Sequence, residues 1–508
     1  MGRQAAQRIR RLSPALAALL LACSGPPAQV TTDAGAVAPL IDAADDGPRA
    51  DAAGADAPQA DAAPADAAAD AAADAAADAA DDASLDDAEP PYDPGIRLTA
   101  VDLSLGAITG GKATGDQYGL GSGAALGDID GDGDLDLALA RCDDVGGGPS
   151  LLLRNDGFPA VTSDAGFSAG LAGRCAHAVA FGDYDRDGDL DLFVGMNGAD
   201  RLYANNGSGS FANVTAATGV AGPAADATTS AVWADVDRDG LLDLLVLEYS
   251  LAVPPAPEAV NADRLYRNLG DGSFREVAAG TPAAGNGAGQ VALVADLDGD
   301  GELDIYVAND HFSIDGDVGV PALDVDRWLD PTGFDGQGVP AYVDRAAAYQ
   351  VDDPRSSMGA ALTDIDGDGH DDLYVADWGT KHLQVWNPAA SRYDQPQSAW
   401  GLALTRNPTS NYQVSWGVRF VDFDRDGWQE LLIINGTVAE PINCLGWSQL
   451  DLMLARRPGA DHFTDITASL PWVDDYACPP PADGRPIAGR AAVLGDLDGD
   501  GDDELIVT

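Results

Sequence analysis

The stretch Asp183-Tyr184-Asp185-Arg186-Asp187-Gly188-Asp189-Leu190-Asp191-Leu192-Phe193-Val194 decides the fold. It places carboxylates at positions 1, 3, 5 and 9 of a nine-residue loop and glycine at position 6, then runs into an apolar segment with strand character. The same arrangement starts at Asp128, Asp235, Asp296, Asp364, Asp422 and Asp496. Units recurring about every 60 residues signal a solenoid, an array or a propeller, because one such unit cannot bury its own apolar face.

The first loop presents Asp128, Asp130, Asp132 and Asp136, with the carbonyl of Asp134 available at position 7. Its successors are Asp183, Asp185, Asp187 and Asp191 with Asp189; Asp235, Asp237, Asp239 and Asp243 with Leu241; and Asp296, Asp298, Asp300 and Asp304 with Glu302. The last three are Asp364, Asp366, Asp368 and Asp372 with His370; Asp422, Asp424, Asp426 and Glu430 with Trp428; and Asp496, Asp498, Asp500 and Glu504 with Asp502. Four carboxylates within nine residues repel one another unless a cation sits among them. Hard oxygen donors without His or Cys select Ca²⁺, so up to seven sites are expected. The glycine at position 6 permits the sharp turn that wraps the loop.

An EF-hand shares positions 1 to 7 but closes with a bidentate Glu at position 12, between helices. Here position 12 is Leu139, Val194, Val246, Val307, Val375, Ile433 or Val507, each inside an apolar run such as Leu244-Leu-Val or Leu431-Leu-Ile-Ile. An EF-hand is excluded, and position 9 is left to close the site. Small-residue runs precede the loops, as in Ala178-Val-Ala-Phe181 and Ala491-Ala-Val-Leu494, and suit an inner strand crowded around an axis. Two further strands around a glycine turn follow, as in Arg201-Leu-Tyr-Ala-Asn205 to Phe211-Ala-Asn-Val214. Four antiparallel strands per repeat, seven times, predict an all-β, seven-bladed propeller over residues 95–508.

These repeats resemble the FG-GAP/VCBS repeats of integrin α-subunit heads and bacterial surface proteins. Trp416-Gly-Val-Arg-Phe-Val-Asp-Phe-Asp-Arg-Asp-Gly427 and Phe274-Arg-Glu-Val277 are similar to the cartilage-acidic-protein/UnbV group within that family. The resemblance implies a calcium-binding propeller used for adhesion or recognition. Members of that group often carry a domain after the last repeat, whereas the last repeat of this chain runs to Thr508, so no activity tied to such a domain is expected.

The N-terminus reads as an address. Arg3, Arg8, Arg10 and Arg11 precede a short apolar core, and Leu20-Leu-Ala-Cys23 resembles a bacterial lipobox, so residues 1–22 are expected to be a signal peptide and Cys23 a lipidated residue. Ser24 after the cysteine implies sorting to the outer membrane or cell surface. Residues 23–94, with Asp66-Ala-Ala-Ala-Asp70-Ala-Ala-Ala-Asp74 in their middle, have almost nothing to bury and read as a disordered, solvated tether.

The 508 residues carry 83 Asp+Glu against 28 Lys+Arg, a net charge of −55. Such a balance argues against a nucleic-acid partner, which needs clustered Lys and Arg. Beyond Cys23 there are four cysteines, and an exported chain favours pairing them. Cys142–Cys175 and Cys444–Cys478 are expected, because each pair joins the end of a second strand to the start of the next inner strand.

Other candidates for chemistry weigh less. Gly166-Phe-Ser168-Ala-Gly170 matches a nucleophile elbow but lies in the linker to the second repeat, where a turn is expected. His177, His311, His370, His382 and His462 form no metal-binding pair and read as surface or satisfied loop residues. Asn309 to Tyr342 and Thr437 to Gln449 expand two repeats, read mainly as decoration. The seventh repeat supplies only two strands before Thr508, so Ile96 to Leu105 is expected to pair into it and close the ring. The reading is a non-enzymatic, calcium-binding recognition or adhesion module for a protein or polysaccharide ligand. The alternatives are a polysaccharide lyase or hydrolase on a propeller scaffold, and a structural component of the envelope.

Overall fold

The computed structural model describes residues 123–507 apart from 143–148, 250–261, 286–288, 311–324, 336–337, 353–355, 378–381, 397–399, 403–413, 436–451, 457–461 and 468–491. The signal peptide with Cys23, the tether, the strand expected at 96–105, Cys444, Cys478, His311, Thr508 and the cores of both expansions lie outside these residues.

Each acidic loop joins two antiparallel strands. In the first blade the inner strand Ala124–Gly127 enters the loop and Asp136–Leu139 leaves it, and Leu151–Asn155 and Val161–Ser163 complete a four-stranded sheet. The second blade repeats this with Ala176–Gly182, Asp191–Met196, Arg201–Ala204 and Ala212–Asn213. Four more four-stranded sheets follow, with inner strands Thr228–Ala234, Gly289–Ala295, Ser357–Thr363 and Ser415–Val421. The register is the same throughout: the last residue of the inner strand sits opposite position 9, as in Gly127 opposite Asp136 and Gly182 opposite Asp191.

The expectation of seven four-stranded blades is corrected to six. Among the described residues the seventh repeat forms a two-stranded sheet, Ala492–Gly495 against Glu504–Val507. That sheet still takes a place in the ring. Inner strands of successive repeats touch all the way round, and Ala492–Gly495 touches both Ser415–Val421 and Ala124–Gly127. Val493 is buried among Ala124, Leu137, Leu151 and Leu153 of the first blade.

The core lies between blades rather than within them. Val179, Leu192 and Val194 of the second blade pack on Ala138 and Leu152 of the first. Tyr306 and Trp328 of the fourth pack on Leu373 and Val375 of the fifth. Position 2 of each loop is always apolar, and the interfaces explain why. Ile129, Tyr184, Val236, Leu297 and Ile365 each wedge into the cluster shared with the following blade. Second strands such as Asp191–Met196 and Asp243–Glu248 are buried along their whole length, which explains their unbroken apolar runs. A disulfide joins Cys142, beyond the second strand of the first blade, to Cys175, just before the inner strand of the second.

Candidate metal centre

The seven loops share one hydrogen-bond network. The position-6 glycine N–H donates to the position-1 carboxylate in every copy: Gly133 to Asp128, Gly188 to Asp183, Gly240 to Asp235, Gly301 to Asp296, Gly369 to Asp364, Gly427 to Asp422 and Gly501 to Asp496, over 2.9–3.2 Å. The position-7 N–H donates to position 5, as in Asp134 to Asp132 and Trp428 to Asp426. Backbone donors thus aim the short Asp side chains inward, and the carbonyl of position 7 follows the same turn.

The position-6 glycines all have positive φ, between 84° and 97°. Position 4 is left-handed too, which the sequence reading did not use. It is Gly131, Gly299, Gly367 or Gly499 in four loops and Arg186, Arg238 or Arg425 in the other three, with φ of 58–62° for the arginines. The signal was legible as a position that is always Gly or Arg. Two of those arginines link loops: Arg238 donates to the Gly301 carbonyl and pairs with Glu302 at 3.0 Å, and Arg425 donates to the Gly501 carbonyl and pairs with Asp502 at 2.8 Å.

Position 9 does more than close a site. Asp136, Asp191, Asp243, Asp304, Asp372, Glu430 and Glu504 are all buried at the start of the second strand. One oxygen of each accepts from the position-2 N–H of its own loop, as Asp191 does from Tyr184 at 3.2 Å and Glu504 from Leu497 at 2.7 Å. The other oxygen of Asp136, Asp191, Asp243 and Asp372 accepts from the third strand, at Asn155, Asn205, Asn268 and Trp386. Burial pushes these carboxyls up, partly offset by those bonds: Asp136 to about 6, Asp191, Asp243, Asp304 and Asp372 to about 7, Glu430 to about 8 and Glu504 to about 7.

Asn155, Asn205 and Asn268 are further functional residues that sequence reasoning missed. The Asn205 amide donates to the Leu190 carbonyl of its own loop and to the Ile129 carbonyl of the preceding one, at 3.1 and 2.8 Å. Asn268 does the same to Leu242 and Tyr184, and Asn155 to Leu135 and, across the ring closure, Leu497. Pro331, Trp386 and Arg456 hold the equivalent position in the next three blades, so no repeated residue marks it.

The donor set suits a divalent cation. Ligand oxygens of Asp128, Asp130 and Asp136 lie within 4.8 Å of one another, as do those of Asp183, Asp185 and Asp191, of Asp235, Asp237 and Asp239, and of Asp296, Asp298 and Asp300. One oxygen each of Asp130, Asp183, Asp235 and Glu430 is buried without a hydrogen-bond partner. An orphaned buried carboxylate oxygen is costly, and a bound cation removes that cost.

Elsewhere the candidates resolve into structure. Ser168 is buried inside the short helix Ala165–Gly170, capped by Asp164, so the expected turn is helical and no elbow forms. His177 and His382 are buried rather than superficial, His177 beside the Cys175 sulfur and His382 3.0 Å from Asp377. At the far end of the strands, a cavity of about 290 Å³ is lined by Pro223, Asp226, Asp263, Arg264 and Glu276 among others. Arg264 there pairs with Asp226 and Glu248 and Asp263 with Arg327, while Glu276 accepts the N–H groups of Ala278 and Ala279.

Comparison with known proteins agrees with this geometry. A family model described as an FG-GAP-like repeat matches residues 128–194, 183–246, 256–307 and 364–433, segments that contain the first six acidic loops. Over those residues the chain is similar to FG-GAP-like repeats. Cartilage acidic protein 1 from Homo sapiens and from Mus musculus are each 30% identical over 224 residues, 41% of this chain and 32% of the relative. The chain therefore spans about a third of the length of these curated relatives. Among solved structures, an Agrocybe aegerita lectin described as recognising non-reducing terminal N-acetylglucosamine aligns over 68% of this chain and 79% of its own, at 16% identity and a TM-score of 0.39. The Dos1 propeller aligns over 73% and 75%, at 9% identity and a TM-score of 0.36.

Proposed function

We propose that this FG-GAP-like propeller is an extracytoplasmic, calcium-dependent recognition module, tethered to a bacterial outer membrane through a lipidated Cys23. It presents one face of the ring to a protein or polysaccharide ligand. The observation that carries the reading is the orphaned, buried carboxylate oxygens inside loops that are otherwise hydrogen-bonded alike. Calcium at positions 1, 3 and 5, with the position-7 carbonyl and position 9, would offset the mutual repulsion of the acids and hold the turns of one face. The hairpins between third and fourth strands share that face, since Arg154 of the first blade reaches from Asp130 to the Ser208 carbonyl in such a hairpin of the second. Within the acidic loops the same geometry weighs against catalysis: the position-9 carboxyls, which burial pushes up, are each held by the backbone of their own repeat.

The test is a glycan array and a panel of purified envelope proteins probed with the full chain in calcium and in EDTA. Retention that calcium supports and EDTA abolishes is expected. Turnover of a polysaccharide by the chain, or ligand capture indifferent to EDTA, would contradict the reading.

A further inference from the structure

The seven loops agree in their backbone network, but the third strands differ at one residue, the position opposite position 9. In the first six blades that residue is Arg154, Ala204, Arg267, Asp330, Val385 and Ala455. In the third blade Arg267 Nε donates to Asp237 Oδ2 and its Nη2 lies 3.0 Å from Asp239 Oδ2. The other oxygens of those two acids already accept the N–H groups of Asp239 and Leu241. Both acids are therefore fully engaged, and Asp237 is 1% exposed. Only Asp235 keeps an orphaned oxygen there.

The second loop is the natural contrast. Ala204 supplies no charge, and among the described residues no basic side chain pairs with Asp185 or Asp187. Ligand oxygens of Asp183, Asp185 and Asp191 crowd within 4.8 Å of one another there without such a counter-charge. The first loop is intermediate, with Arg154 making one contact, 3.2 Å to Asp130. In the fourth loop the same position supplies an acid, Asp330, which pairs with Arg345 at 2.7 Å, and Asp298 accepts from the Tyr349 hydroxyl at 3.0 Å.

We propose that Arg267 is a built-in counter-cation that satisfies the third loop without metal and makes it a weaker calcium site than the first loop, with the second tighter still. The inference rests on the calcium reading above and deepens it. A guanidinium charge a few ångströms from a divalent ion opposes its entry, and its removal frees both outward oxygens of Asp237 and Asp239. The propeller would then keep part of its loop face ordered at low calcium and fill its sites in sequence rather than all at once.

The experiment is calorimetric titration of the chelator-stripped full chain with calcium chloride, wild type beside Arg267→Gln and Arg154→Gln. Arg267→Gln is expected to tighten one class of sites by about tenfold, as Coulomb interaction at this separation implies. Arg154→Gln is expected to act in the same direction and less. Circular dichroism of the stripped proteins reports whether each variant folds. Should Arg267→Gln fail to fold, Arg154→Gln decides by the same criterion. An isotherm for the folded variant that superposes on the wild type overturns the role of the arginine and leaves calcium binding intact. No calcium uptake by the wild type overturns the reading beneath it as well.

Discussion

At the level of single residues, the acids divide into two kinds. Positions 1, 3 and 5 lie in turns that are part-buried to exposed, whereas position 9 is sealed at the root of the second strand. This division has a consequence for pH. In the metal-free protein the seven position-9 carboxyls titrate at about 6 to 8 rather than at the ordinary 3.8 or 4.5. Between those ranges the folded state holds protons that the unfolded chain has released, so stability falls as pH rises. Calcium bound as proposed would replace those protons, so its binding near neutral pH should release them. Thermal melts of the stripped chain are therefore expected to show a lower midpoint at pH 8 than at pH 5.5, and the difference should shrink or reverse in calcium. A stripped protein that gains stability on the alkaline side would contradict the assignment. The carboxylate pattern was legible in the sequence because ligands must recur at fixed offsets. The paired tasks of position 9 were not, because its partners on the third strand lie 14 to 25 residues away at variable spacing.

At the level of the blade, the loops are joined to their neighbours by side chains that repeat only in part. Asn205 ties the second loop to the first through Leu190 and Ile129. Asn205→Ala leaves the buried Ile129 carbonyl and the part-buried Leu190 carbonyl without that donor and should cost about 1–3 kcal/mol in denaturant unfolding; a loss under about 0.5 kcal/mol, below the worth of a typical hydrogen bond, would show that water or a neighbour takes its place. The Cys142–Cys175 disulfide spans 33 residues of sequence between the first and second blades. By the loop-closure argument its removal in a Cys142→Ser, Cys175→Ser protein should cost roughly 3–4 kcal/mol. Reduced and oxidised proteins that melt together would refute it. The strands and their order followed from the apolar runs after each loop, as in Leu192-Phe193-Val194. The arginines at position 4 had meaning only once the next blade's loop lay beside them, since Arg238 acts on Gly301 and Glu302 rather than on its own repeat.

At the level of the whole molecule, the ring closes on a two-stranded sheet. Val493 and Ile506 pack on the first blade, and Asn155 reaches the Leu497 carbonyl at 2.8 Å. Seven loops could be counted from their spacing, and all seven form. The count of full blades depended on chain segments whose pairing no motif encodes. What unites the scales is the acidic loop: it sets the register of each blade, its position-2 residue fills the gap to the next, and its orphaned oxygens call for a cation. The most direct test of that account is the calcium content of the chelator-stripped full chain after equilibrium dialysis against millimolar calcium at neutral pH, counted per chain by atomic emission. The account predicts several bound ions, rising towards seven as free calcium increases. A chain that returns from dialysis with no calcium above that of the buffer would contradict it.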